Sequence, residues 1–156
     1  MTVQVIIADK VGVVETPSKA LKLTLAGNST MTVVSTGHPT ALTFRVRQCT
    51  DNKELWFVSA LAYDCRFDYL GTIRIMRNSE PLYTIGKKSH YNHTSAQNRV
   101  FIEFFLAAKR VVSDHDSWPP GMAVTHAGRC AVCARKLTNP VSVDWGVGPE
   151  CWEKTQ

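Results

Sequence analysis

Apolar and polar residues alternate along several short segments between residues 30 and 85, and this is the period of half-buried strands. The clearest example is residues 41–47, where apolar side chains alternate with threonine or arginine. Four other segments are rich in β-branched or apolar residues and are bounded by turn residues. They are residues 30–35, 55–63, 69–74 and 82–85. The pattern predicts an antiparallel sheet of about five strands.

A helical period appears in residues 96–110, where apolar side chains recur at a spacing of three and four residues. Ser95 is positioned to cap the first turn. We therefore expect one amphipathic helix that packs on the sheet. Near the N-terminus, residues 3–7 and 11–14 fit two short strands, and Ser18 can cap a helical turn.

The composition is that of a compact protein: 156 residues, of which 44% are hydrophobic and 20% are charged. No apolar run approaches the roughly 20 residues that a membrane span requires, and the start does not resemble a secretory signal. We therefore expect a cytoplasmic protein with no membrane partner. The formal net charge of +5 fits nucleic-acid binding, although a modest positive charge is also common on proteins that do not bind nucleic acid.

Three of the five cysteines lie close together near the C-terminus, and their spacing is typical of zinc ligands. Cys130 and Cys133 form a C-x₂-C pair, and Cys151 follows a Gly-Val-Gly-Pro segment. A C-x₂-C knuckle places two thiolates on one Zn²⁺. In a reducing compartment, clustered cysteines indicate a metal site rather than disulfides. Cys49 and Cys65 stand apart and are interpreted as buried small hydrophobic residues.

A tetrahedral zinc site needs a fourth ligand, and the nearest candidate is His126, four residues before the C-x₂-C pair. Its competitors are His115, Asp144, Cys65 and His93. Three thiolates and one histidine around Zn²⁺ carry a net charge of −1, which neighbouring cations can offset. A redox or catalytic role is disfavoured, because the chain has no thioredoxin-like context and no H-E-x-x-H pattern.

Together these patterns place the chain in the α+β class: a sheet with one packed amphipathic helix and a C-terminal zinc-ribbon or zinc-knuckle lobe. We expect residues 1–112 to form the sheet-and-helix domain and residues 122–156 to form the zinc lobe. Residues 113–121, which end in Trp-Pro-Pro-Gly, are interpreted as a linker.

Basic residues occur in three places that could contact phosphates. One is the polar side of residues 41–47, one is the loop 86–95, and one is the C-x₂-C segment. The candidate nucleic-acid or partner-binding residues are Arg45, Arg47, Lys87, Lys88, Tyr91, Arg129, Arg135 and Lys136. The competing interpretation is that these are ordinary solvated side chains.

The segment H-A-G-R-C-A-V-C-A-R-K-L-T-N-P-V-S, followed by G-V-G-P-E-C, resembles a phage and bacterial zinc-ribbon family, domain of unknown function 6011. The resemblance implies His126, Cys130, Cys133 and Cys151 as the zinc ligands and an origin in a phage or mobile element. It implies no activity. Segments such as LAGNSTMTVVS and LTFRVR also resemble larger members, so we expect the resemblance to cover most of the chain beyond residue 20.

One position departs from the family pattern. Ala134 stands where the family usually has glycine. A glycine in a knuckle often has a positive φ, so an alanine there predicts a slightly different turn or some backbone strain.

These observations favour a non-enzymatic, zinc-containing accessory protein that binds DNA or RNA. The alternative is a phage-encoded inhibitor or adaptor that binds a host protein, such as a CRISPR effector or another defence nuclease, or the transcription machinery. No small-molecule substrate is expected, since no Ser-His-Asp order, paired acids or phosphate-binding glycine loop stands out.

Overall fold

The computed structural model describes residues 12–77, 79–110 and 115–155. Within them the secondary-structure elements follow one another as α1 (Pro17–Thr24), β1 (Asn28–Ser35), β2 (His38–Gln48), β3 (Leu55–Leu61), β4 (Phe67–Arg74), β5 (Leu82–Ile85), α2 (Ala96–Lys109), β6 (Ala123–His126), α3 (Pro140–Trp145) and α4 (Pro149–Thr155). The α+β class predicted from the sequence is confirmed.

The described strands form one antiparallel sheet in the order β5-β4-β3-β2-β1-β6. The five predicted strands are all present, but the sheet has a sixth member. This strand, β6, lies in the segment predicted to belong to the zinc lobe, and it pairs with β1 through Met31–His126 and Val33–Val124. The C-terminal segment therefore begins as an edge strand of the sheet. The strand predicted at residues 3–7 lies outside the described residues.

Helix α2 covers one face of the sheet, here called the inner face. The Phe101 ring is fully buried, with its centroid 5.1 Å from that of Phe44 and 4.8 Å from that of Tyr83. Burying a side chain of this size contributes about 1.5–3 kcal/mol. Ser95 caps α2 by accepting a hydrogen bond from the Asn98 N–H. The predicted amphipathic helix and its cap are thereby confirmed.

Asn98 is buried in the first turn of α2 and holds the preceding loop against the sheet. Its side-chain NH₂ donates to the carbonyl oxygens of Tyr91 (3.0 Å) and Asn92 (2.8 Å). Its Oδ1 accepts from the Tyr83 hydroxyl at 2.8 Å. Burying a side-chain amide is unfavourable unless its NH₂ and its carbonyl oxygen are hydrogen-bonded. In Asn98 both groups have hydrogen-bond partners.

The cap of α1 differs from the prediction. Thr16 caps the helix, accepting a hydrogen bond from the Lys19 N–H at 3.3 Å. Ser18 lies within the helix, and its N–H donates to Asp116 at 2.9 Å. None of the helices in the described ranges has the length and hydropathy needed to cross a bilayer.

Candidate metal centre

The chain brings Cys130, Cys133 and Cys151 together, with their three Sγ atoms within 4.8 Å of one another. Cys130 follows β6 and is only 1% exposed, whereas Cys133 is exposed and Cys151 is half-buried. The cluster therefore has one wall in the protein core and another open to solvent. The predicted association of these three thiols is confirmed.

A tight backbone loop, here called the knuckle (residues 129–136), positions the first two cysteines. The Cys130 N–H donates to the Arg135 carbonyl and the Ala134 N–H donates to the Cys130 carbonyl, both at 2.8 Å. The Val132 N–H also points at the Cys130 sulfur, at 3.4 Å. Ala134 has φ = 65°, in the left-handed region where a β-carbon is strained. Of the two outcomes predicted for an alanine here, a different turn or backbone strain, the structure therefore has the strain.

Two short helices return the chain to the knuckle. Asn139 caps α3 by accepting from the Ser142 N–H at 2.8 Å. Gly146, with φ = 76°, ends α3 in the left-handed conformation that glycine adopts most readily. Pro149 begins α4, so Cys151 lies in its first turn. This is the approach that the glycine and proline spacing predicts.

The electrostatics of the cluster favour a bound cation. Burial opposes ionisation of Cys130, but the N–H groups of Gly148, Cys133 and Val132 outweigh it and lower the pKa of this thiol. Burial, followed by the neighbouring sulfurs, raises the pKa of Cys151 to about 11. Thiolates at this separation repel one another, and a positive charge between them would offset that repulsion.

The dimensions also fit a metal. Around a tetrahedral Zn²⁺ with Zn–S bonds of about 2.3 Å, the sulfurs lie about 3.8 Å apart. A contraction of about 1 Å or less would close the observed cluster on an ion. The group can therefore hold a metal ion through three sulfurs.

His126 is not brought to the thiols. Its ring is 4% exposed, and Nε2 lies 2.5 Å from the Val143 carbonyl while Nδ1 accepts from the Gly128 N–H at 3.0 Å. Because a carbonyl only accepts, Nε2 carries the proton, and the lone pair of Nδ1 is already used. Burial lowers the pKa of His126, which also favours the neutral ring. The role of His126 as fourth ligand stays a prediction that this arrangement does not support.

The other candidates for the fourth ligand also lie away from the three thiols. They are His115, Asp144, Cys65 and His93, all of them exposed, and none joins the group among the described residues. Cys65 is thus not the buried hydrophobic residue that the sequence suggested. It lies in a turn with φ = 64°.

The comparisons with known proteins give one family. Residues 121–156 match DUF6011, a family of unknown function. The resemblance seen in the sequence is thus confirmed for the segment that contains the knuckle and Cys151. The match does not include residues 20–120, where we expected the resemblance to continue. No curated protein and no solved structure matches the chain.

The predicted basic residues fall into three groups. Arg45 and Arg47 lie on the sheet face opposite α2, here called the outer face. Lys87, Lys88 and Tyr91 lie in the loop after β5, where the Tyr91 hydroxyl donates to Asp68 at 3.2 Å. Arg129, Arg135 and Lys136 lie on the knuckle. The structure therefore does not gather all eight at one point.

Sequence reasoning missed two features. The outer face carries Phe57, which is 41% exposed and pairs across the strands with Arg47. Strand alternation could have predicted this exposure. Successive side chains of a strand point to opposite faces, so Phe57 points outward because Trp56 and Val58 point inward. The second feature is Ser142, whose hydroxyl is buried without a hydrogen-bond partner among the described residues, and no sequence pattern marks it.

Proposed function

We propose that this protein is a non-enzymatic accessory protein, acting in the cytoplasm of a bacterial host, that binds nucleic acid across the outer face of its sheet. The observation that carries the proposal is a pair of arginines, Arg45 and Arg47, on a sheet face that none of the described helices covers. Among the described residues, neither has a carboxylate partner within 4.0 Å. The phage or mobile-element origin is supported only by the family resemblance.

The environment of Arg45 favours an anionic partner. Its guanidinium lies over the Phe67 ring, 4.3 Å from the centroid, and its Nε is buried with no hydrogen-bond partner in the described part of the chain. Burial and then the like charge of Arg47 lower the pKa of Arg45. A phosphate at this point would relieve the repulsion and supply an acceptor.

An aromatic side chain lies beside these cations. Phe57 is directly opposite Arg47 in the pairing of β2 with β3, and its ring is exposed. Exposed rings next to a cationic track are the features by which proteins bind single strands, since every base has a face that can stack. The arrangement therefore favours single-stranded DNA or RNA over a duplex.

The metal centre supports this surface from one end. The Asn28 N–H donates to the Ala131 carbonyl at 2.6 Å, and Asn28 is the β1 partner of Arg47. The knuckle and its cations are therefore attached next to the Arg47 end of the sheet. We propose Zn²⁺ as the ion, because a thiolate-rich site in a tetrahedral geometry is the arrangement that zinc prefers.

The test is binding of a fluorescent single-stranded oligonucleotide, measured by anisotropy at several salt concentrations. We expect affinity to fall steeply with salt, and Arg47→Ala to weaken binding and reduce the salt slope by about one. Arg99→Ala is the matched control, because Arg99 is exposed on α2, the element that covers the inner face. Absence of binding at low salt, or equal effects of the two substitutions, would contradict the proposal.

A second function has a specific observation in its favour. The outer face also exposes Phe57, Leu61 and Leu82, and apolar side chains on one face can form a protein interface. These side chains support the alternative of an inhibitor or adaptor that binds a host protein. A stoichiometric host partner that remains after nuclease treatment, and is lost in Leu61→Asp, would favour this function over nucleic-acid binding.

A further inference from the structure

The three thiols line a cavity on the surface of the C-terminal segment. This cavity has a volume of about 390 Å³, and Cys130, Cys133 and Cys151 all lie on its wall. Cys130 is otherwise buried against the core. The space that touches all three sulfurs at once is therefore the cavity, and a fourth donor to an ion held between them would stand there.

Within the described residues, Glu150 brings a carboxylate to the cavity wall, but its oxygens do not lie close enough to all three sulfurs to join the group. Among the described residues, no other histidine, cysteine, aspartate or glutamate joins the thiol group. The His126 ring does not line the cavity and is enclosed by other residues: a β-carbon on Gly12 would lie 1.9 Å from its Nε2, and one on Gly146 would lie 3.5 Å from its Cδ2. With both nitrogens hydrogen-bonded, the ring would have to leave this enclosure to bind an ion.

The cavity also contains an unused polar group. Ser142 is 1% exposed and lines the cavity, and its hydroxyl has no hydrogen-bond partner among the described residues. A buried hydroxyl without a partner costs about 1–3 kcal/mol, so its presence needs a reason. The Ser142 backbone N–H donates to the Asn139 side chain at 2.8 Å, which fixes the position of Ser142 at the start of α3. A ligand in the cavity would satisfy it.

The charges that line the cavity indicate the class of ligand. Arg135 and Lys136 are both on its wall, and Glu150 is the acidic residue there. Three thiolates around a divalent ion have a net charge of −1, so an additional anion is tolerated only next to cations. The two basic side chains supply them.

We propose that an ion held by Cys130, Cys133 and Cys151 takes its fourth donor from a small anionic ligand that enters this cavity. Ser142 hydrogen-bonds that ligand and so sets its affinity. The inference rests on the proposed metal site and adds to it an exchangeable position open to solvent. It does not depend on nucleic-acid binding.

The experiment replaces zinc with Co²⁺ in the full chain and follows the visible absorption while azide is added. We expect a saturable spectral change in the wild type. Ser142→Ala should leave Co²⁺ affinity unchanged and weaken azide binding about five- to tenfold, the loss of one hydrogen bond. Thr138→Val, which alters an exposed residue on the same wall, should change azide binding less than twofold.

Two results would overturn the inference while leaving the metal site intact. One is a saturated cobalt spectrum that azide does not alter. The other is equal azide affinity in Ser142→Ala and Thr138→Val. Nitrogen-15 spectra give an independent measurement: His126 should keep the shifts of a neutral ring protonated at Nε2 after Zn²⁺ is bound, and direct ligation of the ring would refute the proposal. Failure to bind Co²⁺ at all would remove the metal site itself.

Discussion

The left-handed backbone of Ala134 leads to a prediction whose sign is unusual. Replacing alanine by glycine normally destabilises a folded protein, because glycine is more flexible in the unfolded chain. At Ala134, however, φ is 65°, and the residue directly follows Cys133 in the knuckle. We expect Ala134→Gly to stabilise the protein.

The magnitude follows from two opposing terms. A β-carbon in the left-handed region costs about 1–2 kcal/mol, and glycine removes that cost. The greater conformational freedom of glycine in the unfolded chain lowers the free energy of unfolding by about 0.5–1 kcal/mol. The net gain in the free energy of unfolding therefore lies between about 0 and 1.5 kcal/mol, with a middle value of about 0.75 kcal/mol. The knuckle must form before it can hold an ion, so stabilising the knuckle also favours zinc binding. If a gain near the middle of this range appears in the binding free energy, zinc affinity should rise two- to fivefold.

The assay is urea unfolding of the zinc-loaded protein, together with a competition measurement of zinc affinity. The matched control is Ala107→Gly in α2, where the backbone is helical and the substitution should cost about 1 kcal/mol. The two substitutions should thus have opposite signs. If Ala134→Gly destabilised the protein as much as Ala107→Gly, the strain attributed to the knuckle would be refuted.

Three further changes test other parts of the structure. Cys130→Ser should abolish stoichiometric zinc in elemental analysis and lower the thermal midpoint as much as chelation does, whereas Cys65→Ser, at an exposed site, should change neither. Gly12→Ala should cost about 2–3 kcal/mol in urea unfolding, because its β-carbon would overlap the enclosed His126 ring; an unchanged midpoint would contradict that enclosure. Asn98→Ala should cost about 2–4 kcal/mol, since it leaves a tyrosine hydroxyl and two carbonyls without their partner; a loss below 1 kcal/mol would show that the loop is held by other contacts.

Most of the fold could be predicted because its elements carry strong local patterns. Residues 41–47 alternate cleanly, and the helix in residues 96–110 combines a cap with an apolar stripe. The strand β6 could not be found in this way. It has only four residues, and it is a strand because β1 offers a free edge to it. Short edge strands are defined by their partner more than by their own sequence.

In the candidate site, too, the features set by local sequence could be predicted, and the features set by tertiary packing could not. Cysteine spacing predicts the three thiols, because the knuckle and the glycine-proline return are local structures. The surroundings of His126 are not local: Gly12, Gly146 and the Val143 carbonyl come from distant parts of the chain. Sequence proximity to Cys130 therefore suggested a ligand, whereas tertiary packing gives the ring a buried, hydrogen-bonded position.

The candidate metal site and the sheet edge are joined by backbone hydrogen bonds, and this determines which parts of the protein loss of a bound ion should affect. The Ala131 carbonyl accepts from Asn28 at the start of β1, and the Ala131 N–H donates to the Gly146 carbonyl at the end of α3. The His126 N–H donates to the Gly12 carbonyl and the Val14 N–H donates to the Val124 carbonyl, so residues 12–14 lie along the same edge. Loosening the knuckle removes the backbone partner of Asn28, which is also the neighbour of Arg47 on the proposed binding face. Zinc removal should therefore weaken binding at the outer face, although none of the three thiols belongs to a strand of the sheet.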